Sequence, residues 1–307
     1  MPPARAGSAT GALATPALGI APRTLALLGD YLELTKPKVQ SLLLLTTVTT
    51  MYVAGDPSPG LVALTCLGGY LSAGGAGAVN HWYDRDIDAQ MERTASRPIP
   101  SGRVSPRAAL IYGISLATAS FILMTLTLNL LAASLALGGF AGYVGVYTVW
   151  LKRRTWHNIV IGGAAGAIPP MVGWAAARGS LSWTAVYLFA IVFYWTPPHF
   201  WALSLLMKDE YAKVKVPMLP VVRGEAVTRQ QIVLYSLLLY AVTQLPFCAG
   251  AFGGLYLAAS VTLGVAFVAL AIVLYRRKDR ASALRLYLFS LAYLALLFGS
   301  MVLDVKL

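Results

Sequence analysis

A run such as LVALTCLGGYLSAGGAGAV (61–79) constrains this chain more than any single motif does. It carries no charge over a length close to the roughly 20 apolar residues that a helix needs to cross a hydrocarbon core. Inside lipid the backbone must satisfy its own hydrogen bonds, so a run of this kind folds as a helix. Nine such stretches, or nearly such, recur at 39–55, 60–80, 108–128, 130–150, 157–177, 183–206, 231–251, 255–275 and 284–304. The expected fold is therefore all-α, a polytopic membrane protein with nine transmembrane helices. Composition agrees, since only 12% of the residues are charged, about half the share of a soluble domain.

Charge fixes the expected orientation. Lysine and arginine outnumber aspartate and glutamate by 24 to 12, an excess that in another context would point to nucleic acid. Here 22 of the 24 basic residues fall in the stretch through Lys38 and in the loops after spans 2, 4, 6 and 8; Arg178 and Lys306 are the exceptions. Basic loops stay on the cytoplasmic side. The N-terminus and the long loops are thus expected in the cytoplasm, and nucleic acid needs no place in the account. Residues 1–29, rich in Ala, Pro and Gly, read as a disordered cytoplasmic tail before a single transmembrane domain over 30–307. Cys66 and Cys248 both lie in apolar runs and read as small buried hydrophobes.

Span 2 ends on NHWYDRDID (80–88), which places three carboxylates at a membrane edge. In a helix, residues four apart drift by only about 40°, so Asn80, Asp84 and Asp88 form one stripe about 12 Å long. Asp86 points away from it. Carboxylates at this spacing repel, and a bound cation reverses the repulsion. The plain alternative is a solvated acidic helix end neutralised by arginines. The metal reading is preferred because a second acidic patch, Asp209 and Glu210, follows span 6 on the same side. Oxygen ligands alone suit Mg²⁺, which binds through one or two carboxylates and substrate phosphates. The expected metal set is Asn80, Asp84, Asp88, Asp209 and Glu210. Arg97, on the loop that Pro98 and Pro100 hold out of helix, and Lys213 are expected to contact a diphosphate. Lys215 and Arg223 are open to that role or to ordinary topology charge. The two patches follow the second helix of each four-span half, as an old duplication would leave them, and would face one central cavity open to the cytoplasm.

The spacing Asn80-x-x-x-Asp84-x-x-x-Asp88 at the end of an apolar span resembles the first aspartate motif of the UbiA superfamily of intramembrane prenyltransferases. LTKPKV (34–39), NHWYDRDIDAQMERTASRPIPSGRV (80–104), NIVIGGAAGAIPPMVGWAA (158–176) and YWTPPHFWALSLLMKDEYAKVKVPMLPV (194–221) are similar to its haem-farnesylating branch. In one respect the chain departs from the wider superfamily: Lys213 stands where many quinone prenyltransferases have a further aspartate. Asp209 is then the favoured ligand of the second patch and Glu210 the lesser one.

The resemblance implies farnesyl diphosphate and haem B as substrates and haem O and diphosphate as products. Mg²⁺ is the implied cofactor, and the bacterial plasma membrane, or else the mitochondrial inner membrane, the setting. Haem A synthase is an implied partner. Asn80, Asp84, Asp88 and Asp209 would be the catalytic group. Lys152 and Arg153 would join Arg97 and Lys213 on the diphosphate, and Lys36 would meet a haem propionate or the diphosphate. For His199, beside Pro197 and Pro198, two readings stand: haem contact, or a hydrogen bond to a neighbouring helix. His81 reads as support for the aspartate motif and His157 as solvated. The glycines of 68–78 and 162–173 read first as close-packing faces, with room for a porphyrin as the second reading. A prenyltransferase acting on a quinone precursor is the nearest rival. A transporter fits less well, because every acid except Asp56 and Asp304 lies on the expected cytoplasmic side.

Overall fold

A computed structural model describes residues 20–307, with side chains from Thr24 onward. Its helices run in the order α1 (Ile20–Leu34), α2 (Pro37–Ala54), α3 (Pro59–Tyr83), α4 (Arg85–Asp88), α5 (Pro106–Thr127), α6 (Leu130–Ala141), α7 (Asn158–Gly166), α8 (Ile168–Arg178), α9 (Trp183–Leu206), α10 (Lys208–Lys213), α11 (Leu219–Val222), α12 (Gly224–Cys248), α13 (Gly254–Arg277) and α14 (Arg280–Lys306). Helix α6 continues without a break as a π-helix, Gly142–Leu151.

Helix starts follow local chemistry. Ser58 and Ser105 accept backbone N–H groups from Leu61 and Ala108, each before a proline in the first turn, where a missing N–H does no harm. Asn129 and Asp279 cap α6 and α14 in the same way.

Helices stand at all nine predicted stretches. Among the described residues seven tracts are long and apolar enough to cross a membrane: α3, α5, α6 with its π-helical continuation, α7 with α8, α12, α13 and α14. The chain is an integral membrane protein. Helices α2 and α9 fall outside that set. Lys38, Gln40 and four threonines dilute α2, and α9 carries Pro197, Pro198 and His199. Of the expected tail, residues 1–19 lie outside the described residues. Residues 20–29 belong to α1, which corrects the expected boundary. The reason is helical spacing of Leu25, Leu28 and Leu32, with Pro22 in the tolerant first turn.

Helix α3 packs on α5, α2 on α8, and α9 on α12 and α14, while α14 returns to α2 and closes the bundle. The glycines make this possible. A Cβ on Gly75 would stand 2.5 Å from the Gly113 carbonyl oxygen of α5. One on Gly173 would stand 2.3 Å from the Thr47 oxygen of α2. Gly68 and Gly162 lie as tightly against Met124 and Tyr147. The close-packing reading of both glycine runs therefore holds at these positions. On the face away from the basic loops, α14 is tied to its neighbours: Asp304 accepts the Tyr256 N–H at 3.0 Å, and Lys306 donates to the Gly55 carbonyl at 3.1 Å and pairs with Asp56.

Candidate active site

The carboxylate stripe survives the end of α3. The Asp84 N–H bonds to the Asn80 carbonyl at 2.9 Å and the Asp88 N–H to the Asp84 carbonyl at 2.8 Å, so α4 continues the register. Asn80, Asp84 and Asp88 are only 3%, 1% and 4% exposed. Asp86 faces out, as its place between them requires. Buried carboxylates need partners; three basic side chains from two other segments supply them, and a fourth, Lys36, holds Asn80. Lys152 pairs with Asp84, and the Arg153 guanidinium reaches the same carboxylate at 3.4 Å. Arg97 donates to Asp88 at 2.7 Å. Lys36 donates to the Asn80 amide oxygen at 2.5 Å, while the Asn80 amide nitrogen donates to Asp84 at 2.7 Å and to the Thr148 hydroxyl at 3.2 Å.

Local structure aims each cation. Lys36 occupies the left-handed region (φ 55°) in the turn between α1 and α2. Lys152 and Arg153 follow the π-helix, whose wider turn is visible where the Lys152 N–H bonds to Tyr147, five residues back, at 2.8 Å. Arg97 sits in a loop pinned by the Thr94 hydroxyl, which donates to the Asp88 carbonyl at 2.9 Å. Electrostatics mark the spot as short of negative charge. Burial, together with the nearby Arg97 and Lys152 charges, pulls the Lys36 ammonium down to about 7. Farther out, Arg153 grips Asp86 through two 2.7 Å contacts, which hold the Asp86 carboxyl below its usual range.

The second patch does not join the stripe. Asp209 is exposed. Among the described residues, no three His, Cys, Asp or Glu side chains stand close enough to hold a metal. The expectation that Asp209 and Glu210 complete the metal set is not met in this arrangement. Beside α10, Lys213 and Lys215 line a cleft of about 310 Å³ together with Asp86, Gln90 and Arg153 on the outer side of α4. The donors that do stand together, the Asp84 and Asp88 carboxylates and the Asn80 amide oxygen, are all oxygens and suit Mg²⁺. Glu210, apart from them, has a buried carboxylate oxygen without a hydrogen-bond partner among the described residues.

Lys36 thus belongs with the carboxylate site. His199 shows the neighbouring-helix hydrogen bond: its Nδ1 and the Ser290 hydroxyl of α14 are 2.7 Å apart, and its ring stacks on Trp195 at 4.2 Å and Tyr287 at 5.0 Å. His81 is buried beside Asn80, yet neither ring nitrogen has a hydrogen-bond partner. His157 is exposed, its ring tilted against Trp156. Sequence reasoning missed Thr148, fully buried against Asn80, and the paired rings of Tyr143 and Tyr147, 5.4 Å apart. The Lys36 ammonium lies 6.0 Å from the Tyr143 ring. The signal for all three was their place in the turns before Lys152.

A basic, buried, oxygen-rich cluster at a membrane edge has the charge and the oxygen donors to meet a diphosphate and its metal. Comparison with known proteins points the same way. The model of the UbiA prenyltransferase family matches residues 43–297. A protoheme IX farnesyltransferase of Chloroflexus aurantiacus is 54% identical over 295 residues, covering 95% of this chain and 50% of that protein. Another, of Symbiobacterium thermophilum, is 53% identical over 280 residues and covers 90% of this chain and 94% of its own length. The chain therefore spans about half the length of the Chloroflexus relative and nearly all of the Symbiobacterium one. Among solved structures, a UbiA homolog from Archaeoglobus fulgidus bound to DMAPP and Mg²⁺ superposes with a TM-score of 0.69 at 17% identity, covering 89% of this chain and 99% of that one.

Proposed function

The chain belongs to the UbiA prenyltransferase family, and from that membership we propose that it transfers the farnesyl group of farnesyl diphosphate to a vinyl group of haem B, with addition of water, giving haem O and diphosphate. The observation that carries the reading is the convergence of Lys36, Arg97, Lys152 and Arg153 on the buried stripe Asn80, Asp84 and Asp88. The choice of haem as acceptor is supported by relatives more than 50% identical that are named protoheme IX farnesyltransferases.

The reaction begins when the allylic C–O bond of farnesyl diphosphate breaks and its electron pair leaves with the diphosphate. The four cations hold that leaving group, and fixed charge acts strongly where water is scarce. Asp84 and Asp88, with the Asn80 oxygen, would hold Mg²⁺, which supplies Lewis-acid stabilisation of the diphosphate oxygens. The farnesyl cation adds to the terminal carbon of the vinyl group. Water then captures the cation formed next to the porphyrin ring, leaves a hydroxyl there and releases a proton. Apolar helix walls keep water from the first cation. In our reading the site lies on the cytoplasmic side of a bacterial plasma membrane, with the N-terminus on the same side; the distribution of basic loops supports that orientation.

The test is direct. Purified protein in detergent, given haem B, farnesyl diphosphate and Mg²⁺, is expected to yield haem carrying a hydroxyethylfarnesyl group by mass spectrometry, and EDTA is expected to abolish the product. Diphosphate release with a quinone precursor and no haem adduct would transfer the assignment to the rival acceptor. His199→Ala is expected to raise the apparent KM for haem about tenfold or more and leave that for farnesyl diphosphate within about twofold, since the imidazole is held by Ser290, Trp195 and Tyr287 and not by the cations of the carboxylate stripe. Equal changes in both constants would assign His199 a purely structural role.

A further inference from the structure

Helix α1 and the start of α5 enclose an open groove of about 800 Å³, lined by Leu28, Tyr31, Leu32, Ala108, Ile111 and Tyr112. Its walls are apolar and the rings of Tyr31 and Tyr112 close its floor edge to face, 4.9 Å apart. Two observations say what fills it. The groove is continuous with the lipid-facing side of α5, where Ile111 and Ile114 are exposed on a helix of membrane-spanning length. The outward stripe Leu25, Leu28 and Leu32 of α1 extends that apolar surface toward the basic-loop face. Second, Arg107 stands one turn before Ile111 on the same side of α5. It is exposed and makes no hydrogen bond or ion pair among the described residues. The neighbouring Arg103, by contrast, is spent on Asp30 and Glu33 of α1 at 2.7 and 3.3 Å. Both acids of α1 are thus engaged by Arg103, and among the described residues Arg107 stands on the α5 side of the groove without such a partner.

We propose that this groove is a binding site for an anionic phospholipid, its acyl chain between α1 and α5 and its headgroup phosphate on Arg107. An apolar trough with one unpaired guanidinium at the polar end is complementary to that class of amphiphile. The site is distinct from the carboxylate stripe, and its bound lipid braces α1, which runs through Leu34 and Thr35 directly into Lys36.

Native mass spectrometry of the full chain, extracted with an equal mixture of phosphatidylglycerol and phosphatidylcholine, tests it. Wild type is expected to retain phosphatidylglycerol in preference by about fivefold, the ratio that one surface cation supplies at an anionic headgroup. Arg107→Gln is expected to remove the preference. Ala108→Trp, which fills the groove, is expected to lose the lipid itself with the circular dichroism spectrum unchanged. Arg277→Gln removes an exposed charge at the far hairpin and is expected to leave the preference intact. Equal loss in Arg107→Gln and Arg277→Gln would overturn the site in favour of a diffuse positive surface. Displacement of the lipid by farnesyl diphosphate, one for one, would overturn it in favour of a substrate groove.

Discussion

Asp84→Asn is expected to lower farnesyl transfer by about a thousandfold, the scale seen when a preorganised charge contact to a transition state is lost, while the bundle stays folded. Asparagine keeps the volume and one acceptor for Lys152, but it removes the negative charge that pairs with Lys152 and Arg153 and would hold the metal. Asp84→Ala is a harsher test. Removing one member of a buried ion pair costs about 3–5 kcal/mol because the partner is left uncompensated, so lost activity there would mix chemistry with unfolding. Initial rates of haem O formation, read beside the melting temperature of each variant, separate the two. Turnover by Asp84→Asn within tenfold of wild type would remove the stripe from the catalytic machinery.

Gly75→Val is expected to have the largest effect on stability. The added side chain begins 2.5 Å from the Gly113 carbonyl oxygen and 3.1 Å from the Ala117 nitrogen, both of them backbone atoms of α5. Backbone cannot swing aside as a side chain can, so α3 and α5 must separate. Overpacking of this kind costs about 1–3 kcal/mol or more, a fall in melting temperature of roughly 5 °C or beyond for a chain of this size. The strain falls near the chemistry as well, since Gly75 lies on the helix that carries Asn80. Thermal unfolding followed in detergent decides it; an unchanged transition would mean that the two helices are not in contact at this glycine.

The carboxylate stripe was legible because its information is local: residues four apart share a face in any helix, and the break between α3 and α4 does not disturb the register. Arg97, Lys152 and Arg153 were legible as cations near a membrane edge, and the structure brings them to the acids through loops. Lys36 was also marked in sequence, but its choice between propionate and diphosphate rests on where the α1–α2 turn carries it. Thr148, Tyr143 and Tyr147 were hidden because a π-helix turns about once in more than four residues, so the usual 3.6-residue period misassigns their faces. The place of Asp209 and Glu210 was not legible at all. It depends on how the segment after α9 lies across a cleft from α4, two segments far apart in the chain. Helix α1 was lost in a stretch whose small residues obscure three well-spaced leucines.

The tie between α14 and the end of α2 bears on how the protein is made. Every side chain of the stripe and its four cations lies between Lys36 and Arg153, and so leaves the ribosome before α12, α13 and α14. The seam that α14 fills beside α2 can be sealed only after the last described helix has entered the bilayer. A nascent chain can therefore gather its charged centre early, while one wall remains open to lipid. That wall closes when Asp304 and Lys306 reach partners at the start of α13 and the end of α2, helices already inserted.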